Sequence, residues 1–339
     1  MKEIVFLEWR KNMKNRKLFI LIGLLVLLDI IICLVPVSLF PNICKTGEYL
    51  SMYMSKFVWC LVYDGLVIFA YIMLQSKLDV IMDLVGSRGI IWNLAKNDFK
   101  TRFVGSYLGI FWAFVNPIVT ILLYWFVFQF AFKSGDVDGF PFVLWFTAGL
   151  VPWFMFSEAV TNGTNSLLEY GYLVKKVVFQ VDVLPSVKIL SSAFVHVVFM
   201  AFTLLIYIVM GYYPSVYTIQ LIYYFLCMVV LIMAITYATS AIVLFFRDLG
   251  QFINVFMQVF MWMTPIMWQS NIIPKNLLWI FILNPMYYVI TGYRDSLLYH
   301  ISMFQRMGYM AYFWVVVIIL FRIGTTIFKR LRPHFADVL

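Results

Sequence analysis

Apolar runs long enough to cross a bilayer constrain this chain more than any other feature. A membrane-spanning helix needs about 20 mostly apolar residues, because the bilayer core offers no water to an unpaired backbone group. Such runs occur at 18–37, 57–75, 107–132, 142–163, 189–211, 218–245, 250–268 and 308–328. Composition agrees: only 12% of residues are charged, where a soluble domain carries about 25%. The chain could not cover a water-facing surface, so disorder, a fibrous repeat and a secreted disulfide framework are excluded. The expected fold is an all-α polytopic membrane protein.

Between the last two runs lies 271–300, apolar but broken by Pro274 and by Asn284-Pro285. Neither fragment, 277–283 nor 286–298, is long enough to cross. A re-entrant pair of half-helices on the outer side is expected, since such backbone is tolerated only where protein or a water cavity covers it. The cationic residues orient the bundle. With the N-terminus inside, the cytosolic pieces are 1–17, 76–106, 164–188, 246–249 and 329–339. They hold 18 of the 25 Lys and Arg, against six on the outer side, and Arg322 falls inside the last span. That bias places both termini in the cytosol. It also accounts for the +9 net charge without nucleic acid. Cys33, Cys44, Cys60 and Cys227 show no Cys-x-x-Cys spacing, which argues against metal or redox chemistry. The basic start leads into a full-length apolar run, so the first helix reads as uncleaved.

Segment 88–103 differs in kind. Ile91, Ala95, Phe99 and Phe103 recur every four residues with Leu94 beside them, while Asn93, Lys96, Asn97, Lys100 and Thr101 take the other side. This is an amphipathic helix suited to the cytosolic headgroup layer and its lipids. In the seventh span Gln251, Asn254 and Gln258 share one face, and a polar stripe in a bilayer helix turns towards neighbours or a water-filled path. Tyr124, Trp125, Phe128 and Phe132 share a face of the third, where aromatic rings could let sugar rings slide. Glu158 and Asn162 share a face of the fourth, either bonding a neighbouring helix or lining the path. His196 sits mid-span as an expected bundle hydrogen-bond partner. Asp29 and Asp64 fall at nearly the same depth of the first two spans, where a shared proton or separate partners would both serve. No spacing suggests catalysis, and no Gly-x-x-x-x-Gly-Lys-Ser/Thr phosphate loop is present. Energy must then come from a partner or an ion gradient.

The stretch 94–117, LAKNDFKTRFVGSYLGIFWAFVNP, resembles the start of type-2 ABC transporter permeases, in particular exporters of O-antigen, teichoic acid and capsular polysaccharide. Arg102, Gly105, Ser106, Leu108, Gly109, Trp112, Asn116 and Pro117 carry the likeness. So do Gly149-Leu-Val-Pro-Trp153, Phe156, Asn165-Ser-Leu-Leu168, Leu173-Val-Lys-Lys176, Arg247-Asp248-Leu249 and the tail Pro333-His-Phe-Ala-Asp337. The resemblance covers about 88–339. Where the family usually reads Phe-Pro-Arg-Glu, this chain has Phe179-Gln-Val-Asp182, and residues 1–76 form an extra two-span hairpin outside the pattern.

The chain is expected in three parts: the hairpin 1–76, which comes from the apolar runs alone, and the interfacial helix region 77–106 and six-span transmembrane domain 107–339, which the resemblance implies. The resemblance also implies a homodimer with two copies of an ABC ATPase, which would bind the ATP and Mg, in the inner membrane of a bacterium. The cytosolic turn 167–188 would then seat in the ATPase, with Glu169, Lys175, Lys176 and Asp182 there and Arg247 and Asp248 at the other turn. A lipid-linked glycan would enter near Lys96, Lys100, Arg102 and Trp112 and pass Gln251, Asn254, Gln258 and the aromatic face. Two alternatives stay open: a type-2 exporter of drugs or peptides, and a proton-coupled secondary transporter using Asp29 and Asp64.

Overall fold

The computed structural model describes residues 62–69, 71, 80, 84–102, 107, 109–131, 135–175, 180–269, 272–274 and 276–339. By its contacts the chain forms two compact units, Met1–Ser76 and Lys77–Leu339. In the first, 62–69 is helical; the expected span 18–37, with Asp29, lies outside the described residues.

The second unit is built of helices, and no strand occurs among its described residues. α1 (Arg88–Thr101) is followed by α2 (Trp112–Phe126), which ends in a π-helical turn, Val127–Ala131. Next come α3 (Phe142–Glu169), the short α4 (Gly171–Val174), α5 (Leu184–Val209) and α6 (Gln220–Phe245). α7 (Asp248–Met263), α8 (Leu278–Ile282), α9 (Pro285–Arg294), α10 (Met307–Leu331) and α11 (Phe335–Val338) complete the unit. Four apolar helical stretches are long enough to cross a membrane: Phe142–Glu169, Val181–Val209, Val216–Phe245 and Met303–Val338. They coincide with four of the expected spans, and the protein is a multi-pass membrane protein. The other two expected core spans are shorter. Around 107–132 the chain is broken at Gly109, whose φ of +52° suits glycine, so α2 starts late. α7 stops at Met263 because Thr264, preceding Pro265, is extended at φ −100°, ψ 135°.

α3 and α6 form the centre, with α5, α9 and α10 packed around them. At the crossing of α10 and α6, Gly324 lets the two backbones meet: a Cβ there would lie 2.5 Å from the Ala234 carbonyl oxygen. Small residues at such crossings let backbones meet where no hydrophobic effect drives helices together. The break in 271–300 is built by Asn284. Its Oδ1 accepts from the Met286 N–H at 2.9 Å, capping α9, while its Nδ2 donates to Thr264 Oγ1 at 2.8 Å. Pro285 takes the first position of α9, where its missing N–H costs nothing.

Candidate functional site

α1 buries the face that its periodicity marks, with one addition. Ala95 is fully covered and Trp92 and Phe99 meet Phe194 of α5 edge-on at 5.3 and 5.9 Å, while Lys96 and Lys100 are exposed. Asp98 is buried on the same face. Lys188 of α5 donates to Asp98 Oδ1 at 2.5 Å and to Glu169 Oε2 at 2.5 Å; the Lys188 and Asp98 side chains are 5% and 6% exposed. Tyr170 donates its hydroxyl to the same Asp98 oxygen at 3.0 Å. Arg102, one turn on, pairs with Asp98 at 3.2 Å and with Glu158 of α3. Glu158 also accepts from the Ser192 hydroxyl at 3.1 Å and from Asn162 Nδ2 at 3.4 Å. Glu158 and Asn162 therefore bond neighbouring groups within this network.

Burial alone would raise the Asp98 carboxyl. The Lys188 ammonium and the Arg102 charge outweigh it and hold that carboxyl below the ordinary carboxylate range. The Tyr170 phenol is pushed up, first by burial and then by the Asp98 charge it faces. Together these groups form an ionic clasp joining three elements. Glu169 and Lys188 are also the two ends of the segment that contains the turn after α3, so the clasp closes the base of that turn and ties it to α1.

The turn itself carries the other expected contacts. Lys175 is exposed just after α4, and with Arg247 it lines a cavity of about 530 Å³ that also touches Gly171, Tyr172 and Leu339. The structure thus brings together cations from two separate turns. Asp248 is exposed in the first turn of α7. Asp182 is buried and paired with Arg332 at 2.7 Å, so it fastens the start of α5 to the chain end beyond α10. Lys176 lies outside the described residues.

A match to the description of the ABC-2 type transporter covers residues 90–298, well over half of the chain. The chain belongs to the ABC-2 type transporter family. It is also similar to two proteins named O-antigen export system permease protein RfbA. That of Klebsiella pneumoniae is 27% identical over 249 residues, 73% of this chain and 93% of the relative. That of Myxococcus xanthus is 27% identical over 262 residues, 76% of this chain and 98% of the relative. In this ABC-2 chain the expected path residues fall on two helices. Gln251 and Gln258 are exposed and Asn254 half-buried, beside the packed face of α7 formed by Gly250, Ile253 and Met257. Tyr124 meets Phe146 at 5.7 Å and Phe128 stacks on Phe142 at 5.0 Å, so both rings are engaged by α3. Trp125 is half-buried, Trp112 is exposed, and Phe132 lies outside the described residues.

Sequence reasoning missed Asp98 and Lys188. The signal was present: an acid on the apolar side of an amphipathic helix is costly unless a cation meets it.

Proposed function

We propose that this ABC-2 chain is the membrane-spanning permease subunit of an ATP-driven exporter, and that its cargo is a lipid-linked polysaccharide. The family supports the exporter role, and the two O-antigen export permeases support the cargo. In this reading six spans with both termini in the cytosol form one half of a path, two chains form the homodimer, and two ATPase subunits supply the hydrolysis. The path runs along the open polar stripe of α7. The extra hairpin 1–76 precedes this core.

The clasp carries the mechanism. A load on the turn between Glu169 and Lys188 cannot move that turn alone, because Lys188 holds Glu169 and Asp98 together. α1, with Lys96 and Lys100 facing the headgroups, must follow. ATP-driven movement at Lys175 and Arg247 would thus shift the interfacial helix where the lipid carrier enters, and open or close access for the glycan.

The test is reconstitution with an ABC ATPase subunit. Hydrolysis should rise with a lipid-linked glycan and glycan should reach the far side. Stimulation by a hydrophobic drug, with none by any lipid-linked glycan, would refute the cargo.

A further inference from the structure

At the end of the bundle opposite the clasp, α3, the α9 region and the loop before α3 enclose a cavity of about 400 Å³. Its floor is Arg294. The guanidinium is 6% exposed, lies 3.5 Å over the Trp145 ring, and donates to the carbonyls of Trp145, Pro265 and Ile266 at 3.3, 2.7 and 2.9 Å. Among the described residues no carboxylate pairs with it, since neighbouring Asp295 turns to Arg306 at 2.9 Å. A backbone-held, aromatic-stacked guanidinium is a rigid wall rather than a swinging charge. Gly149 faces it, and a Cβ there would lie 2.7 Å from Arg294 Nη2.

The rest of the lining is mixed aromatic and polar, and includes a second guanidinium, Arg306, which is neutralised by its pair with Asp295. Tyr287 and Tyr299 present partly open rings, and Asp138 and Gln269 present planar polar groups. Asp138 is fixed by its left-handed backbone, φ 52°, inside the turn that pairs Val137 with Phe140, and it accepts the Tyr299 hydroxyl at 2.7 Å. Ligand pockets run from about 300 to 1,000 Å³, so this one suits a single sugar ring rather than a lipid chain. Aromatic edges cover the apolar C–H face of such a ring while carboxylate, amide and guanidinium take its hydroxyls in pairs.

We propose that this cavity is a saccharide subsite that holds one sugar ring of the cargo at the outer end of the path. The proposal rests on the polysaccharide reading above, and its test is separable from that one. The permease is placed in nanodiscs, free of sugar-headed detergent, and saturation transfer to glucose, mannose, rhamnose, N-acetylglucosamine and glucuronate is recorded. At least one sugar should receive transfer in the unaltered protein. That transfer should fall at least fivefold in Asp138→Asn, which tolerates the left-handed backbone of the turn, and in Gln269→Ala, two rim variants that leave the Arg294 floor intact. Absence of transfer to every sugar at 10–20 mM (roughly the weak-binding limit for a single ring) would overturn the proposal. So would transfer unchanged in both variants. Stabilisation by inorganic phosphate without any sugar transfer would make this an anion site and would equally overturn it. Export of lipid-linked glycan that persists alongside any of these negative results leaves the exporter reading standing and removes only the subsite.

Discussion

Lys188→Met isolates the clasp, because the replacement keeps most of the length and volume of the side chain and removes the ammonium with its two hydrogen bonds. At 2.5 Å and an effective dielectric constant of 20, the attraction to Asp98 is about 7 kcal/mol before desolvation is charged against it. Removing one partner of a buried pair costs about 3–5 kcal/mol. Asp98 retains Arg102 at 3.2 Å and the Tyr170 hydroxyl at 3.0 Å, which puts the expected loss at the low end, about 3 kcal/mol. Adding Asp98→Leu should restore most of that stability, since replacing both charges by apolar groups is often neutral or better. Glu169 is 50% exposed, so water can take its lost partner. Unfolding in mixed micelles measures the stability arm; ATP hydrolysis and glycan export, with the ATPase present, measure the second. The double variant should be stable, hydrolyse ATP and export poorly. Normal export by that variant would refute the clasp as a transmitter, and a single-variant loss below about 1 kcal/mol would refute the energetics.

Asp98 also forecasts a pH dependence. Its carboxyl is held below the ordinary value of about 3.9, so its contribution is present above that value and is lost as pH falls through the lower folded value. The stability gap between the parent and Asp98→Asn should stay flat from pH 8 to 5 and close only below about pH 4. Lys175→Glu with Lys176→Glu should leave insertion and hydrolysis intact while export falls, assayed as glycan delivered per ATP. Cysteines at 276 and 299, in a background lacking the native four, should both react with an impermeant thiol reagent added outside; labelling of either from the cytosol alone would mean that 271–300 crosses. Gly149→Ala should cost about 1–3 kcal/mol, because the Arg294 guanidinium it meets is anchored by three carbonyls and cannot step aside.

The long apolar helices were legible because hydropathy over 20 residues averages out local detail. What hydropathy could not show was where helices stop. Gly109 and the Thr264-Pro265 step shorten two expected spans through backbone conformation, which leaves the apolar count untouched. The break at Asn284-Pro285 was legible as a break, but its second role, in which Nδ2 reaches back to Thr264, depends on a contact across 20 residues. The clasp was half legible. Glu169 stood out beside the Lys pair, whereas Asp98 was hidden by the apolar residues around it and Lys188 by its place at the edge of an apolar run.

Asp182 shows why charge near a turn is an ambiguous guide to a partner surface. Its position after the Lys pair suggests an outward contact, yet it is buried, paired with Arg332, and its backbone oxygen accepts the Tyr237 hydroxyl at 3.0 Å. The tail motif next to Arg332 behaves likewise: Phe335 is 1% exposed and packs edge-on against Phe328 at 5.3 Å. Gly149, Asn165 and Gly250 follow the same logic, since a Cβ on Gly250 would meet Asn165 Oδ1 at 2.9 Å. Several residues that make the sequence resemble its family are thus joints between helices, small where backbones or side chains cross and polar where a turn must be pinned. On the proposed reading, the surface left to meet an ATPase is then narrower than the motifs suggest, and centres on the exposed Lys175, Arg247 and Asp248. On the same reading, a load received at Lys175 enters the chain six residues from Glu169, the end of the clasp on α3.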